Sequence, residues 1–464
     1  MARCSPSIAL LLVVSATLLH AGENEALKKE AREGLKRASE FFTKKIARNG
    51  GYLWFYAPDL SLAWGEGKVT ATQVWVQPPG TPAVGAAFLD AYEGTRDAFY
   101  LDAARAAADA LRRGQLKSGA WTASIDFDPQ GKGRGMYRAE NSNKGRNTST
   151  LDDDISTSAL SFLMRLDALL EFKDAAVHET TRVALDALLA AQYANGGFTQ
   201  VWEGPAEARE IVPTAWPEEN WRERPSGVKY WQHYTLNDGI AANVVRVLSE
   251  ARGYYKEARF EAALKKFGDF LLLAKLPAPQ PAWAQQYDTR MRPAWARKFE
   301  PPAVSSWESQ DVLFALLKIY DETGDAKYLA PISDALAWLK SSLLPDGRLA
   351  RFYEIKTNKP LYMTREYALT YDDGDTPTHY GFKQSSKIEA IEKRFARAKA
   401  GEKETAKVRS TTAEEVRSAL AALDSEGRWI DSDVQPHSSA PKGKYILCKT
   451  FVDRVRTLAA FVRE

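Results

Sequence analysis

The stretch "LDDDISTSALSFLMRL" (Leu151 to Leu166) sets three acids, Asp152, Asp153 and Asp154, directly before an apolar helical pattern. One Asp is enough to cap a helix, whose N-terminus favours acids. Three adjacent like charges ask for a further reason. Asp238 precedes the next apolar helix and Glu308 opens a third. Carboxylates brought from separate loops make a hard oxygen site suited to Ca²⁺. No EF-hand spacing is present, so the metal reading depends on convergence of loops. Asp154, the last of the three, is expected to cap the helix that starts near Ile155.

A second group is cationic and aromatic. "QQYDTRMRPAWARKFEPP" holds Arg290, Arg292, Arg297 and Lys298 among Tyr287 and Trp295. "RLARFYEIKTNKPLYMTRE" holds Arg348, Arg351, Lys356, Lys359 and Arg365 with Phe352 and Tyr353. Arginine grips carboxylates with two parallel bonds, and aromatic faces suit sugar rings. The plainer reading of any one arginine is an ion pair with a nearby acid, as Arg297 with Glu300. The chain has five histidines and no HExxH, so no zinc site is evident. A P-loop, a GxGxxG opening a helix and a GxSxG elbow are all missing from the sequence.

The elements that must position these residues are helices. "NDGIAANVVRVLSEA" puts Ile240, Val244, Val247 and Leu248 on one face. More polar helices rich in Ala, Lys and Glu alternate with such apolar ones. The helix ends repeat, each followed by an aromatic turn. Tyr52, Trp121, Phe198, Trp283, Phe352 and Trp429 mark these turns, with gaps of 69, 77, 85, 69 and 77 residues. A period of roughly 75 residues is about two helices plus loops. The expected fold is all-α: an incomplete (α/α) toroid, a barrel of inner and outer helices with short β-turn segments in the cleft loops. Loops such as "VWVQPPGTP", "NTSTLDDDIST", "HYTLNDGIA" and "FEPPAVSSWES" then meet at one end. The insert over 203–230 breaks the period and reads as a long loop over the cleft, a candidate lid.

With 464 residues and 45% hydrophobic content the chain can bury a large core. A net charge of +3 gives no basic field for nucleic acid. Residues 1–21 read as a secretory signal: Arg3, the apolar run "IALLLVVSATLL", then Ala21. That run is too short for a comfortable membrane span. The expectation is a secreted or periplasmic monomer, with 22–464 forming one toroid domain and no membrane span in the mature chain. Removal of the signal takes Cys4 and leaves Cys448 alone, so no internal disulfide is expected.

Several blocks resemble the family 10 polysaccharide lyases, the pectate (pectic acid) lyases of bacteria. They are "YTLNDGIAANVVRVL", "AWAQQYD", "PAWARKFEPP" and "DGRLARFYEIKTNKPLY", with "LDDDISTSALSFL" and "NGGF" in the same order. The resemblance spans roughly Tyr52 to Phe382. It implies calcium-assisted β-elimination on polygalacturonate or a related anionic polysaccharide. The family's Asp-Asn before an inner helix falls on Asp152 and Asp153, and its Asn-Asp pair on Asn237 and Asp238. Its proton-abstracting arginine falls on Arg297, and further arginines on Arg351 and Arg365. The metal ligands expected are thus Asp152, Asp153 and Asp238. Arg351, Arg365, Asn237, Lys359 and Tyr353 are expected on the substrate. The chain departs from the family in having Asp-Asp-Asp for the usual Asp-Asn-Gly, "SSWES" for Ser-Gly-x-Glu-Ser, and the extra 203–230 insert. A guanidinium, with a pKa above about 12, is seldom free to take a proton, so the base stays open between Arg297 and a metal-bound hydroxide aided by Arg297.

Three other readings stay open on the sequence. Toroids commonly host glycoside hydrolases with two carboxylates. A pectate-binding protein without catalysis fits the altered acidic motif. "GQLKSGAW" has the Gln-x-x-x-Gly-x-Trp spacing of terpene cyclase repeats, although Arg- and Lys-rich loops suit an anionic sugar better than a carbocation.

Overall fold

The outer-turn aromatics explain why the chain folds in a repeating way. In the computed structural model the indole N–H of Trp121 donates to Leu111 O at 2.9 Å, that of Trp283 to Leu271 O at 2.7 Å and that of Trp429 to Ala419 O at 2.8 Å. Each thereby satisfies a carbonyl in the last turns of the preceding helix, which lack helical partners. The same turns reach the next inner helix. The backbone N–H groups of Tyr52, Trp121 and Trp283 donate to Thr81, Ser156 and Ser309 at 2.9, 3.3 and 3.0 Å. An aromatic turn is therefore a two-ended clamp between one helix and the next.

The structure describes residues 7–140, 143–218, 220–404, 410–436 and 440–463, with side chains from residue 23 onward. The expected leader, residues 1–21, lies outside the residues whose side chains are described, as does Cys4. Among the described residues twelve α-helices alternate as outer and inner members of six pairs. The pairs are α1 (Ser7–Phe41) with α2 (Thr81–Thr95), and α3 (Ala98–Gly114) with α4 (Ile155–Leu169). Next come α5 (Ala175–Ala190) with α6 (Ile240–Tyr255), and α7 (Ala258–Leu273) with α8 (Ser306–Thr323). The last are α9 (Ile332–Ser341) with α10 (Ile388–Lys399), and α11 (Ala413–Ala421) with α12 (Cys448–Arg463).

The inner helices pack in succession, α12 on α2, then α4, α6, α8 and α10, while α10 and α12 do not pack broadly on each other. This is the expected incomplete toroid. One buried apolar cluster runs from Leu27 to Val462. The chain ends lock through stacked Phe42 and Phe451 rings, 3.6 Å between centroids, and through strand Phe55–Tyr56 paired with Gly443–Leu447. Gly94 lets α2 approach α12 closely: a Cβ there would lie 2.5 Å from Ala459 O. Two-residue strands line the cleft loops, including Ser149–Thr150 with Val201–Trp202 and Tyr234–Thr235 with Gln286–Tyr287. Cys448 is buried and free. No helix among the described residues is long and apolar enough to cross a membrane.

The Gln-x-x-x-Gly-x-aromatic spacing has a structural purpose here. Gln115 Nε2 donates to Gly119 O at 2.8 Å and to Thr180 O at 2.9 Å. Gln192 Nε2 repeats this with Gly196 O and Ala263 O, both at 3.0 Å. Each amide thus ties a turn to the neighbouring outer helix. Gln115→Leu keeps the volume and strands two buried carbonyls. It should cost about 2–3 kcal/mol in denaturant unfolding while leaving activity per folded molecule unchanged.

Candidate active site

Two loops of matching sequence enter inner helices side by side. "TLDDDI" leads into α4 and "TLNDGI" into α6. Thr150 accepts from the backbone N–H of Asp152 at 3.0 Å, and Thr235 from that of Asn237 at 3.2 Å. Both chains then take two left-handed residues: Asp153 and Asp154 (φ 45° and 60°) in one, Asp238 and Gly239 (φ 51° and 73°) in the other. Asp154 occupies the position Gly fills in the second loop, a conformation costly for most side chains and better tolerated by Asp. This paired turn points acids from both loops to one spot. Carboxylate oxygens of Asp152, Asp153 and Asp238 all lie within 4.8 Å of one another.

The grouping is electrostatically unfavourable by itself. At such separations two charges in an effective dielectric near 20 repel by about 3–4 kcal/mol. Among the described residues none of the three is in an ion pair. Lost hydration and the charges of Asp152 and Glu66 push Asp153 up to about 6. Burial, then Asp152 and Asp153, raise Asp238 further above the carboxylate range. Gln77 Nε2 donates to Asp153 at 2.8 Å, and the Asn237 amide donates to Asp238. An all-oxygen, anionic donor set at two helix starts fits a hard divalent cation such as Ca²⁺.

Asp154 does not cap α4. With a left-handed backbone its carboxylate turns away from the helix N–H groups and makes no cap bond. It accepts from Thr157 Oγ1 at 2.6 Å and pairs with Arg246 of α6. Glu308 is not a member of the acidic cluster either. It is fully buried, accepts from Ser305, and pairs with Arg351 at 2.9 Å.

Opposite the acids stand two arginines, each pinned by a buried glutamate. Arg297 holds Glu300 through Nε at 2.8 Å and Nη2 at 2.5 Å. Glu300 also accepts from Gln285 at 2.8 Å and from the Tyr380 hydroxyl at 2.9 Å. Burial alone would raise the Glu300 carboxyl, but Arg297 outweighs it and holds it below its usual range. Arg351 pairs with Glu308, reaches Asn237 Oδ1 at 3.4 Å, and stacks 4.5 Å from the Tyr380 ring centroid. The Arg297 guanidinium lies 5.5 Å from the same centroid, so both cations lie against the Tyr380 ring. Arg297 lies near enough to lower both Asp153 and Asp238, so acids and arginines share one cleft.

The pairing bears on the expected proton abstractor. Burial favours a neutral Arg297, but Glu300, Tyr380 and Asp238 together raise its pKa above the ordinary guanidinium value. The geometry supports a charged donor and opposes a neutral base.

The other expected substrate residues separate. Asn237 belongs to the cluster. Tyr353 does not: it is 1% exposed, accepts from Ala350 N at 2.9 Å and donates to Ser342 O. Its place on a short central strand turns it into the core. Lys359 is exposed, 5.1 Å over the Tyr371 ring. Arg365 is exposed on the adjoining hairpin turn, 3.3 Å from Asp375. Tyr367 of the same turn packs 5.9 Å from Phe299, two residues from Arg297, which puts this hairpin on the rim. Sequence reading missed Gln77, Tyr380 and the cleft position of Tyr230. Tyr230 ends the insert and is close enough to be influenced by Arg297, Asp152, Glu300 and Asp238. No motif flagged these three: Gln77 and Tyr380 reach the site from distant segments, and Tyr230 sits at the end of an irregular insert.

The insert itself covers the arginine loop. Arg224 donates to Ala296 O at 3.0 Å, Trp295 Nε1 to Trp221 O at 2.7 Å, and Arg222 pairs with Glu354.

Ringed helices and a cleft that opposes clustered acids to pinned arginines define an enzyme-type site for an anionic ligand. A family model described as pectic acid lyase matches residues 115–350. That is just over half of the chain, and the chain belongs to this family of polysaccharide lyases. Among curated proteins no sequence match was found. Two solved structures of a family 10 polysaccharide lyase from Cellvibrio cellulosa are similar at 20% identity. One is a point mutant with trigalacturonic acid (TM-score 0.47, 69% of this chain, 98% of that one), the other without (0.46, 69%, 97%). Cellobiose 2-epimerase from Bacillus thermoamylovorans is similar at 14% identity (TM-score 0.44, 94% of this chain, 99% of that one).

Because the folded state raises the Asp153 carboxyl, it holds that proton more tightly than the unfolded chain does. Stability of the chelator-treated protein should therefore fall as pH rises from about 4 through about 6. Asp238→Asn should raise the melting temperature of chelated protein by relieving repulsion, and weaken Ca²⁺ binding at least tenfold by calorimetry. Asp154→Gly, which suits the left-handed backbone, should leave the acidic cluster's cation binding intact and cost about 1 kcal/mol or less, as a half-exposed ion pair does.

Proposed function

We propose that this chain is a secreted pectate lyase that cleaves polygalacturonate by calcium-assisted β-elimination and releases unsaturated oligogalacturonides. The observation that supports it is the opposition of one acid cluster lacking counter-charge to two arginines whose charge is locked by buried glutamates. Such a cleft fits a substrate that brings carboxylates and needs a cation beside them. The sequence pattern of residues 1–21 supports export.

The proton on C5 of a uronate is acidic only when the charge of the adjacent carboxylate is offset. Asp152, Asp153 and Asp238 would hold Ca²⁺, which supplies Lewis-acid charge to that carboxylate. Arg297 and Arg351 donate to substrate carboxylates, with Arg365 and Lys359 extending the grip along the rim. Solvent hydroxide in the cleft takes the C5 proton, and negative charge moves onto the carboxylate oxygens. Arg297, already oriented by Glu300, stabilises that charge without reorganising. Expulsion of O4, which takes a proton from water, then leaves the C4–C5 double bond. Tyr380 and Gln285 hold Glu300, and so position Arg297 at second hand.

Polygalacturonate incubated with the protein should develop ultraviolet absorbance from the new double bond, and a chelator should abolish it. A saturated product would instead indicate a glycoside hydrolase, and calcium-dependent binding without product a binding protein. Arg297→Lys keeps the charge but loses the fork, and should reduce turnover about 10²–10³-fold with binding retained. Glu300→Gln separates the two readings of Arg297. It should lower turnover at least tenfold if the guanidinium acts charged, whereas a gain at alkaline pH would show a neutral guanidine acting as base.

A further inference from the structure

The insert and its flanks build a second cavity beside the cleft, of about 470 Å³. Its walls come from the end of α5, strand Val201–Trp202, the Glu203–Glu207 turn, Arg209 and Trp231. Two of its elements adjoin segments of the catalytic cleft. Strand Val201–Trp202 pairs with Ser149–Thr150, and Leu151 N donates to Gln200 O at 2.9 Å, one residue before Asp152. Trp231 follows Tyr230, with ring centroids 5.4 Å apart.

The charge of this cavity is opposite in kind to the arginine side of the cleft. Glu203 accepts from Thr148 Oγ1 at 2.7 Å and has no cationic partner among the described residues. Arg209 is the one cation among the described wall residues; its side chain is only 10% exposed, and three of its five N–H donors are engaged. Nε and Nη2 bind Glu207 at 3.0 and 2.8 Å, Nη1 reaches Gln232 O at 3.3 Å, and the guanidinium stacks 4.2 Å from the Tyr193 ring centroid. With Glu203, Glu207 and Arg209 the wall is net negative, and its one cation is already paired with Glu207. Trp231 is 39% exposed. Its indole gives the cavity an apolar face of the kind that packs against the C–H face of a pyranose.

We propose that this cavity is a distal sugar subsite for an uncharged hexopyranose of the polymer, and that it discriminates against a free uronate. Two sources supply that chemistry: a methyl-esterified galacturonate unit and a neutral hexose of a side chain. The proposal builds on the pectic-substrate reading above. It gives the insert a task in selecting where along a partly esterified or branched chain the enzyme settles.

The test compares initial rates on de-esterified polygalacturonate, on partly methyl-esterified pectin, and on de-esterified pectin that retains galactan branches. Trp231→Ala should raise KM about tenfold on the substrate that supplies the uncharged unit. On polygalacturonate its KM and kcat should stay within about twofold. Glu203→Gln should lower KM on polygalacturonate several-fold by removing the repelling charge. An effect of Trp231→Ala confined to esterified pectin identifies the ester, and one confined to branched pectin identifies the hexose. An equal change on all three substrates, or none, overturns the subsite. Unsaturated product from no substrate overturns the lyase reading instead. Calorimetry on chelator-treated protein then decides the subsite separately, with methyl-esterified trigalacturonate and galactobiose as probes. Weaker binding of either probe by Trp231→Ala sustains it, and equal or absent binding in both proteins sinks it.

Discussion

Mutual repulsion among Asp152, Asp153 and Asp238 is the constraint around which the cleft is arranged. Three carboxylates within 4.8 Å of one another persist only where helix starts, amide donors and nearby cations oppose their charge. The chain supplies each of these. Two helices begin at the cluster, Gln77 and Asn237 donate to it, and Arg297 faces it. Direct neutralisation by an ion pair is withheld, and the two arginines instead spend part of their donor set on Glu300 and Glu308. Charge is thereby kept separated across the cleft, and a cation plus an anionic sugar can bridge the gap.

That separation requires rigid walls, because each pinned arginine would otherwise collapse onto the nearest acid. The rigidity comes from the ring. The turns at Trp121 and Trp283 tie the last carbonyls of an outer helix to the first residues of an inner one, so the loops that follow them leave a fixed anchor. Packing of α12 on α2, with the Phe451 ring stacked on Phe42 just after α1, joins the two ends of the chain, and the loops between the inner helices meet on one face. The 203–230 insert, held to Ala296 and Glu354, adds a wall that the repeat does not supply.

Much of this was legible in the residues. The aromatic markers, their spacing and the alternation of apolar and polar helices specify a helical ring, since each mark has a local cause: an indole N–H near a helix end, a glutamine beside a turn. The acids before α4 and α6 could be read as a pair because the two loops share a sequence. The Arg297–Glu300 pair lies within one turn of chain and was equally visible as an alternative to catalysis.

What the sequence by itself determined is which elements form and which loops hold charge, since those follow from patterns a few residues long. Tertiary structure decided which charges meet. Glu308 looked like a third member of the acidic cluster, but burial beside Arg351 gave it a structural partner. Asp154 looked like a cap, but its left-handed backbone turned the carboxylate to Arg246. Tyr353 looked like a sugar contact, but strand pairing turned it into the core. Gln77 and Tyr380 reach the cleft from segments more than 75 residues away from the groups they serve, Gln77 from Asp153 at 76 residues and Tyr380 from Glu300 at 80. Coulomb energy depends on distance in space and on local hydration, and neither exists until the ring has closed.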